Sequence, residues 1–487
     1  MRSVNLPPHA PTLMESTRAI GYSLEAAIAD IIDNSIAAKA TKIDIDFFPI
    51  GDAYITITDN GLGMCESELI SSMQYGSRNP NEQRELSDLG RYGLGMKTAS
   101  LSQCRKLTVI SKQNGKRVAC RWDLDHVLIE QQWSLLILDN SEIDLLPGIE
   151  KLEIYESGTI VLWNTLDKMS AGEINFVEVM GKKMDFAREH ISLVFHRYLA
   201  GEVGQNKISM YLNNRNIDPI DPFLSKKSTQ IMDEEHIIVR GDKITVKPYI
   251  LPHVSKLSNI ELKNLGGKDG LRKQQGFYIY RNKRLLIWGT WFKMMRQGDL
   301  SKLARVQVDI PNSLDDLWTL DIKKSTATPP EEVRKNLAVI ISKIADGSKN
   351  TYLTRHKKEI SDNIVHIWTR AKTRDNAIKY EVNREHPLII SLNNKYPNAY
   401  KEISFLLGQI ECNIPLNSLY IDLTNDEKID NDSEMSNSDI ISLLKSIIIS
   451  FSDPSQRYAM VQSLENTEPF IYYKSIIEDA LKKGELV

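Results

Sequence analysis

Asp30 and Asn34 stand four residues apart in LEAAIADIIDNSIAAKA, a spacing at which a helix turns a carboxylate and an amide toward one ligand. Farther on, Asp59 opens DNGLGM, a carboxylate at a strand end followed by Gly61 and Gly63, which let backbone approach a ligand closely. A third cluster, GRYGLGMKTAS, brings Gly90, Gly93 and Gly95 with exposed amides, and Lys97 with a mobile positive charge. The MKTASLSQ that follows can start a helix whose N-terminus favours anions. Between Ser23 and Ser100, phosphate, metal and purine each have a candidate partner.

These residues need elements to hold them. Ser23 is a suitable N-cap for the first long helix, which carries Leu24, Ile28, Ile31 and Ile32 along one apolar stripe, with Asp30 and Asn34 on another face. Ile43, Ile45 and Phe47 then alternate with Asp44, Asp46 and Phe48, and after a turn near Gly51-Asp52 the run from Tyr54 to Thr58 alternates again. This predicts an antiparallel pair with one face on a core and Asp59 at its exit. The following MQYGSRNPNEQRELSDLG is long, polar and poor in apolar residues, as a lid over a ligand would be.

In this order and spacing, the acid-and-amide helix, DNGLGM, the lid and the GxxGxGxKxxS pattern resemble the GHKL ATPases: gyrase, the large heat-shock chaperone, histidine kinases and MutL. GRYGLGMKTAS looks most like the microrchidia branch and its prokaryotic relatives, and the resemblance covers the first third of the chain. It implies an α+β protein with an N-terminal Bergerat-fold sandwich, a mixed, mainly antiparallel sheet with helices on one face, that binds ATP and Mg2+ and hydrolyses the ATP. Carried over by position, Asn34 is the magnesium ligand and Asp59 accepts a hydrogen bond from the adenine amino group. Gly61, Gly63, Gly93, Gly95 and Lys97 cradle the phosphates. Met64, Gly76, Ser77, Gly90, Tyr92, Leu94, Met96 and Thr98 extend the nucleotide contacts, and Thr159 in GTIVLWNTLD ends the site. Asp30 takes the place of the water-activating Glu found in many relatives; it is one methylene shorter, which implies slower turnover. The acidic residue that MutL-like sequences carry three positions after the Asn is Ala37 here.

Residues 1–200 are expected to form this ATP module. A second α+β domain, residues 201–330, is expected to open near Lys207 with ISMYLNNRNIDPIDPF and to continue through HIIVRGDKITVKPYIL, GFYIYRNKRLLIWG and LARVQVDIP. Its position resembles the transducer domain of gyrase and MutL, which implies a lysine reaching the γ-phosphate; TLDIKKSTATPP offers Lys323 and Lys324. Lys268, Arg272, Lys273, Arg281, Lys283, Arg284, Lys293, Arg296, Lys302 and Arg305 are interleaved with aromatics from Phe277 to Phe292. The mix suits either contact with DNA through residues 268–305 or a sheet whose aromatics are core. His190 and His196, six apart, do not share a helix face and read as packing residues.

From Glu331 the spacing turns helical, with an acidic linker at 423–439 and amphipathic helices at DIISLLKSIIISF and YYKSIIEDALKKG. His386, beside Arg384 and Glu385, has no partner nucleophile in view. A chain of 487 residues exceeds one ordinary core; its four cysteines show no metal or disulfide spacing, and its net charge of -3 gives no global pull toward nucleic acid. MRSVNLPPHAP lacks an apolar run of signal length and no stretch approaches a membrane span, so a cytoplasmic protein without membrane contact is expected. The combined expectation is an ATP hydrolase whose turnover drives lid closure and homodimerisation. It would act on DNA or a DNA-processing protein partner, and kinship suggests restriction or antiviral defence. The alternatives are an ATP-gated clamp or scaffold with negligible hydrolysis, and a chaperone-like ATPase.

Overall fold

The computed structural model describes the chain apart from residues 1–2, 5, 7, 20, 77–94, 171–174, 203–206, 229–232, 268–269, 299–300, 316, 319–328, 354–364, 373–377, 417, 420–435, 449–452 and 484–487. Ser77, Gly90, Tyr92, Gly93, Leu94, Lys268, Lys323 and Lys324, with most of the expected linker and lid, lie outside the described residues. Two compact units divide the chain, Met1–Tyr352 and Leu353–Val487.

In the first unit α1 (Ala10–Arg18) and α2 (Leu24–Ala37) precede the hairpin β1 (Lys42–Phe48) and β2 (Tyr54–Asp59). Next come α3 (Glu66–Met73), α4 (Gly95–Leu101), β3 (Lys106–Gln113), β4 (Lys116–Asp123), α5 (Leu124–Glu130) and β5 (Leu136–Leu138). The short α6 (Asn140–Ile143) and α7 (Ile149–Glu153) lead to β6 (Gly158–Asn164), α8 (Asp167–Ser170), the long α9 (Phe176–Val194) and α10 (His196–Ala200). The hairpin β7 (Ser209–Leu212) and β8 (Arg215–Asn216) completes an eight-stranded sheet ordered β5-β4-β3-β6-β2-β1-β7-β8. All its pairings are antiparallel except β1 with β7.

Alternation along the strands explains the layering. Ile43, Ile45, Ile55, Ile57, Val109, Val161 and Trp163 face the core formed with α2 and α9, while Ile110, Ile160 and Leu162 face a smaller core closed by Ile143 and Leu152 of the short helices. The expected start of a second domain near residue 201 falls inside this first sheet. Ile208, Met210, Leu212 and Ile217 sink into the first core, and Lys42 to Ile45 pair in parallel with Ser209 to Leu212.

A second sheet is built from β9 (Glu235–Val239), β10 (Asp242–Ile250), β11 (Gly276–Arg281), β12 (Arg284–Thr290) and β13 (Ala304–Ile310), with α11 (Asn259–Gly266) between β10 and β11. Its order is β12-β11-β13-β10-β9, and β11 runs parallel to β13. The turn between β11 and β12 puts Asn282 and Lys283 at φ of 48° and 65°, the left-handed pair that a two-residue hairpin demands. One face packs on α12 (Glu331–Leu353) through Val333, Leu337, Ile340 and Ile344; on the other, Phe223, Tyr249, Tyr278, Tyr280 and Leu285 cluster with Leu193 of α9 and Trp288 of β12.

The second unit holds the hairpin β14 (Trp368–Lys372) and β15 (Ile378–Val382), then helices Pro387–Lys395, Tyr400–Cys412, Asn437–Ile448, Pro454–Leu464 and Lys474–Lys482. Helical spacing was expected to run through WTRAK, but cross-strand pairing with residues 378–382 makes it a strand. The expected linker ends before Asn437, where a helix begins with Asp439 N–H donating to Ser436 Oγ. His386 is a helix N-cap whose Nδ1 accepts from Leu388 N–H, the work of a structural residue.

Candidate active site

Ser23 starts α2 by accepting from Ala26 N–H. The helix buries its apolar stripe, and the same turns carry Asp30 and Asp33, both buried, while Asn34 stays exposed. α4 packs across α2, and the two meet at Gly95: a Cβ built there would sit 3.6 Å from Asp30 Oδ2. Asp30 therefore faces the described end of the glycine segment. Its Oδ2 also accepts from the Tyr22 hydroxyl at 3.2 Å.

Asp59 leaves β2 with its carboxylate buried. Oδ1 accepts from Gly61 N–H at 2.8 Å and Oδ2 from the Ser35 hydroxyl, also at 2.8 Å. Burial pushes the Asp59 carboxyl above the usual carboxylate range, opposed by these donors and by Thr159 N–H. Thr159 lies opposite Asp59 in the β2–β6 register, and its hydroxyl is 3.1 Å from Ser111 Oγ, which accepts from Met64 N–H at 2.8 Å. Asp59, Gly61, Met64 and Thr159 thus lie together, linked through Ser35 and Ser111.

Gly61 and Gly63 of this group leave no room for a side chain. At Gly61 a Cβ would lie 2.7 Å from Ala38 O, and at Gly63, with φ of 67°, 1.9 Å from Lys112 O. Gly76 has φ of 72° in open space after α3. Met96 is half-buried against the first core, and the Thr98 hydroxyl donates to Gly95 O at 3.4 Å.

Lys97 departs from expectation. Instead of a mobile charge it is 1% exposed, and its ammonium donates to Ser72 O at 2.6 Å, tying α4 to α3. The basic run of the second sheet is also partly structural. Arg281 pairs with Asp315, Arg305 is buried against Pro222 O and Leu265 O over the Tyr278 ring, and Lys302 is buried. Arg272, Lys273, Lys293 and Arg296 are exposed, and Phe277, Tyr278, Tyr280 and Trp291 are core. His190 lies against Trp288 and His196 bonds Tyr280 Oη at 2.7 Å; burial pushes both imidazoles down to about 4, which fits their reading as packing residues.

Sequence reasoning missed Ser35, Ser111 and above all Arg284. This guanidinium comes from β12, places Nε 2.7 Å from Asp33 Oδ1 and Nη2 3.8 Å from Asp30 Oδ1, and stacks over Phe195. Nothing local in NKRLL marks it, since its partners lie about 250 residues earlier. The donor set fits the expected ligands: Asn34 offers an exposed amide oxygen of the hard kind magnesium takes, and Asp59 a buried acceptor for an amino group.

Residues 22–159 match the family described as histidine kinase-, DNA gyrase B-, and HSP90-like ATPase. The ATPase morc-1 of Caenorhabditis elegans is 31% identical over 91 residues, 18% of this chain and 10% of that protein. The DNA mismatch repair protein MutL of Thermosipho melanesiensis is 32% identical over 93 residues, 19% of this chain and 17% of its own length. The ATPase MORC2B of Mus musculus is 32% identical over 94 residues, 18% of this chain and 9% of that protein. The matched stretch therefore spans less than a fifth of each of these relatives. Among the described residues, no helix is long and apolar enough to cross a membrane.

Proposed function

We propose that this chain, whose residues 22–159 carry a histidine kinase-, DNA gyrase B-, and HSP90-like ATPase domain, is a magnesium-dependent ATP hydrolase that uses nucleotide state to change shape. The observation that supports this best is that a Cβ built on Gly95 would lie 3.6 Å from Asp30 Oδ2, which sets a carboxylate beside the last glycine of GRYGLGMKTAS. Adenine would be read by Asp59, held as an acceptor by Ser35 and Gly61. Asp30 would orient the attacking water and take its proton, with Tyr22 fixing one oxygen. Magnesium on Asn34 would supply charge neutralisation at the phosphates. Lys323 or Lys324 would approach the terminal phosphate from the second domain, and the stretch expected as a lid, MQYGSRNPNEQRELSDLG, would close over the nucleotide and order a homodimer.

DNA mismatch repair among the relatives' names supports a role in DNA processing, and Arg272, Lys273, Lys293 and Arg296 are exposed, as contact with a phosphate backbone would need. The domain arrangement that goes with this reading is the ATP module, a transducer-like second sheet and a mostly helical C-terminal region. Phosphate release by the purified chain, beside Asp30→Asn, tests the enzyme. Release should fall at least about 100-fold in the variant while calorimetry still finds ATP uptake. Equal rates with intact uptake would leave a nucleotide-gated clamp, the reading that a carboxylate one methylene short favours; absence of uptake in the wild type would end both.

A further inference from the structure

Asp30 has two oxygens with two different neighbourhoods. Oδ2 looks toward Gly95 and the Tyr22 hydroxyl, and Oδ1 looks toward Nη2 of Arg284 at 3.8 Å. Arg284 does not belong to the ATP module's own sheet. It is the first residue of β12, delivered by the Asn282-Lys283 turn, and that turn is moored to the first sheet's helices because the Tyr198 hydroxyl of α10 donates to Asn282 O. The guanidinium is itself confined: it is 6% exposed, ion-paired with Asp33 Oδ1 2.7 Å from its Nε although the N–H is not aligned for a hydrogen bond, and stacked 5.6 Å from the Phe195 ring centroid. A planar fork fixed at one nitrogen can hold a second carboxylate's direction through another, which a flexible ammonium does not do.

We propose that Arg284 is the positioning residue of the hydrolytic base: the second sheet sets the aim of Asp30, so the ATP module turns over only while the β11–β12 hairpin is seated on α2 and α9. This rests on Asp30 acting as the base. A short acid needs such help more than a longer one, because its carboxylate must reach the water from a backbone that cannot lean closer, and an error of about 1 Å costs on the order of 100-fold. Asp33, one position before Asn34, then acts at one remove, as the anchor of the residue that aims the base.

The test uses the full chain and a double-mutant cycle. Arg284→Gln should lower kcat about 10- to 100-fold while KM for ATP and the calorimetric affinity for a non-hydrolysable ATP analogue stay within about threefold. Arg284→Lys, which keeps the charge but not the fork, should recover only a small part of kcat, Asp33→Asn should resemble Arg284→Gln, and the double variant should be no slower than either single one. A wild-type kcat in Arg284→Gln overturns the proposal. So do equal losses of analogue binding and turnover, or of melting temperature and turnover in both Arg284→Gln and Arg284→Lys, because a merely structural residue behaves that way. Losses that multiply in the double variant also overturn it. If the wild type is no faster than Asp30→Asn, the hydrolase reading itself has failed and takes this one with it, whereas a fast wild type with an indifferent Arg284 removes this proposal alone.

Discussion

Replacing Gly63 by Ala separates backbone strain from steric closure of the pocket, because the chain supplies its own control. Gly51, in the β1–β2 turn, has φ of 63° with nothing within 4 Å of a built Cβ; Gly63 has φ of 67° but would bring its Cβ within 1.9 Å of Lys112 O. The left-handed conformation costs any residue with a Cβ about 1–2 kcal/mol, and that cost is common to both variants. The excess at Gly63 comes from moving Lys112 or the glycine by more than about 1 Å to restore ordinary contact. Lys112 pairs with Gly158 on one side and Arg117 on the other, and Ser111 beside it holds Met64 N–H. Losing two or three such hydrogen bonds, at about 0.5–1.5 kcal/mol each, makes the excess about 1–4.5 kcal/mol. Because the displaced atoms lie beside Asp59 and Met64, most of this should appear as about 5- to 2,000-fold weaker ATP binding by calorimetry. Gly51→Ala should lower the melting temperature slightly and bind normally. A Gly63→Ala protein that binds ATP as the wild type does would refute the placement of DNGLGM against the nucleotide.

Two further outcomes follow from buried charge. The Asp59 carboxyl is raised above its ordinary 3.8 by burial, so the folded state holds its proton more tightly than the unfolded chain. Stability contributed at this site is therefore full below the ordinary value and is lost as pH rises through the raised one; Asp59→Asn should lack that decline, read as the difference between the two proteins' melting temperatures across a pH series from about 4 upward. A parallel slope in both proteins would show that the group is not so buried. Arg305→Ala should lower the melting temperature, since two buried carbonyls lose their donor at about 1–3 kcal/mol each, and should leave the salt dependence of any duplex DNA binding unchanged. Substitution of exposed Arg272 or Lys293 should reverse that pattern, lowering the log–log salt slope by about 1; a salt slope moved by Arg305 would contradict its structural role.

The parts of the fold that were legible are those with a local cause. The 3.6-residue stripe of Leu24, Ile28 and Ile31 gave α2 and brought Asp30 with it; alternation on either side of Gly51-Asp52 gave the β1–β2 hairpin with Asp59 at its exit. What could not be read depends on residues far away in sequence. YLNNRN announces a hairpin but not that β7 lies beside β1, about 165 residues earlier, and the strand WTRAK shows itself only through its partner. Lys97 reads as a mobile charge for phosphate and Arg284 as one cation of a basic run; only the fold reveals Ser72 O beside one and Asp33 beside the other. At the site itself, Asp59 and its glycines were found by pattern, while Ser35 and Ser111, common residues at unremarkable positions, left no trace in it.

The late arrival of β7 bears on how the ATP module can be isolated. A fragment cut at residue 200 would strip β1 of its neighbour along Lys42 to Ile45 and leave a naked row of amides and carbonyls, an invitation to pair with another copy. Extending the fragment past Ile217 restores β7 and finishes the sheet with β8, only two residues long, a margin too short for a stranger to template on.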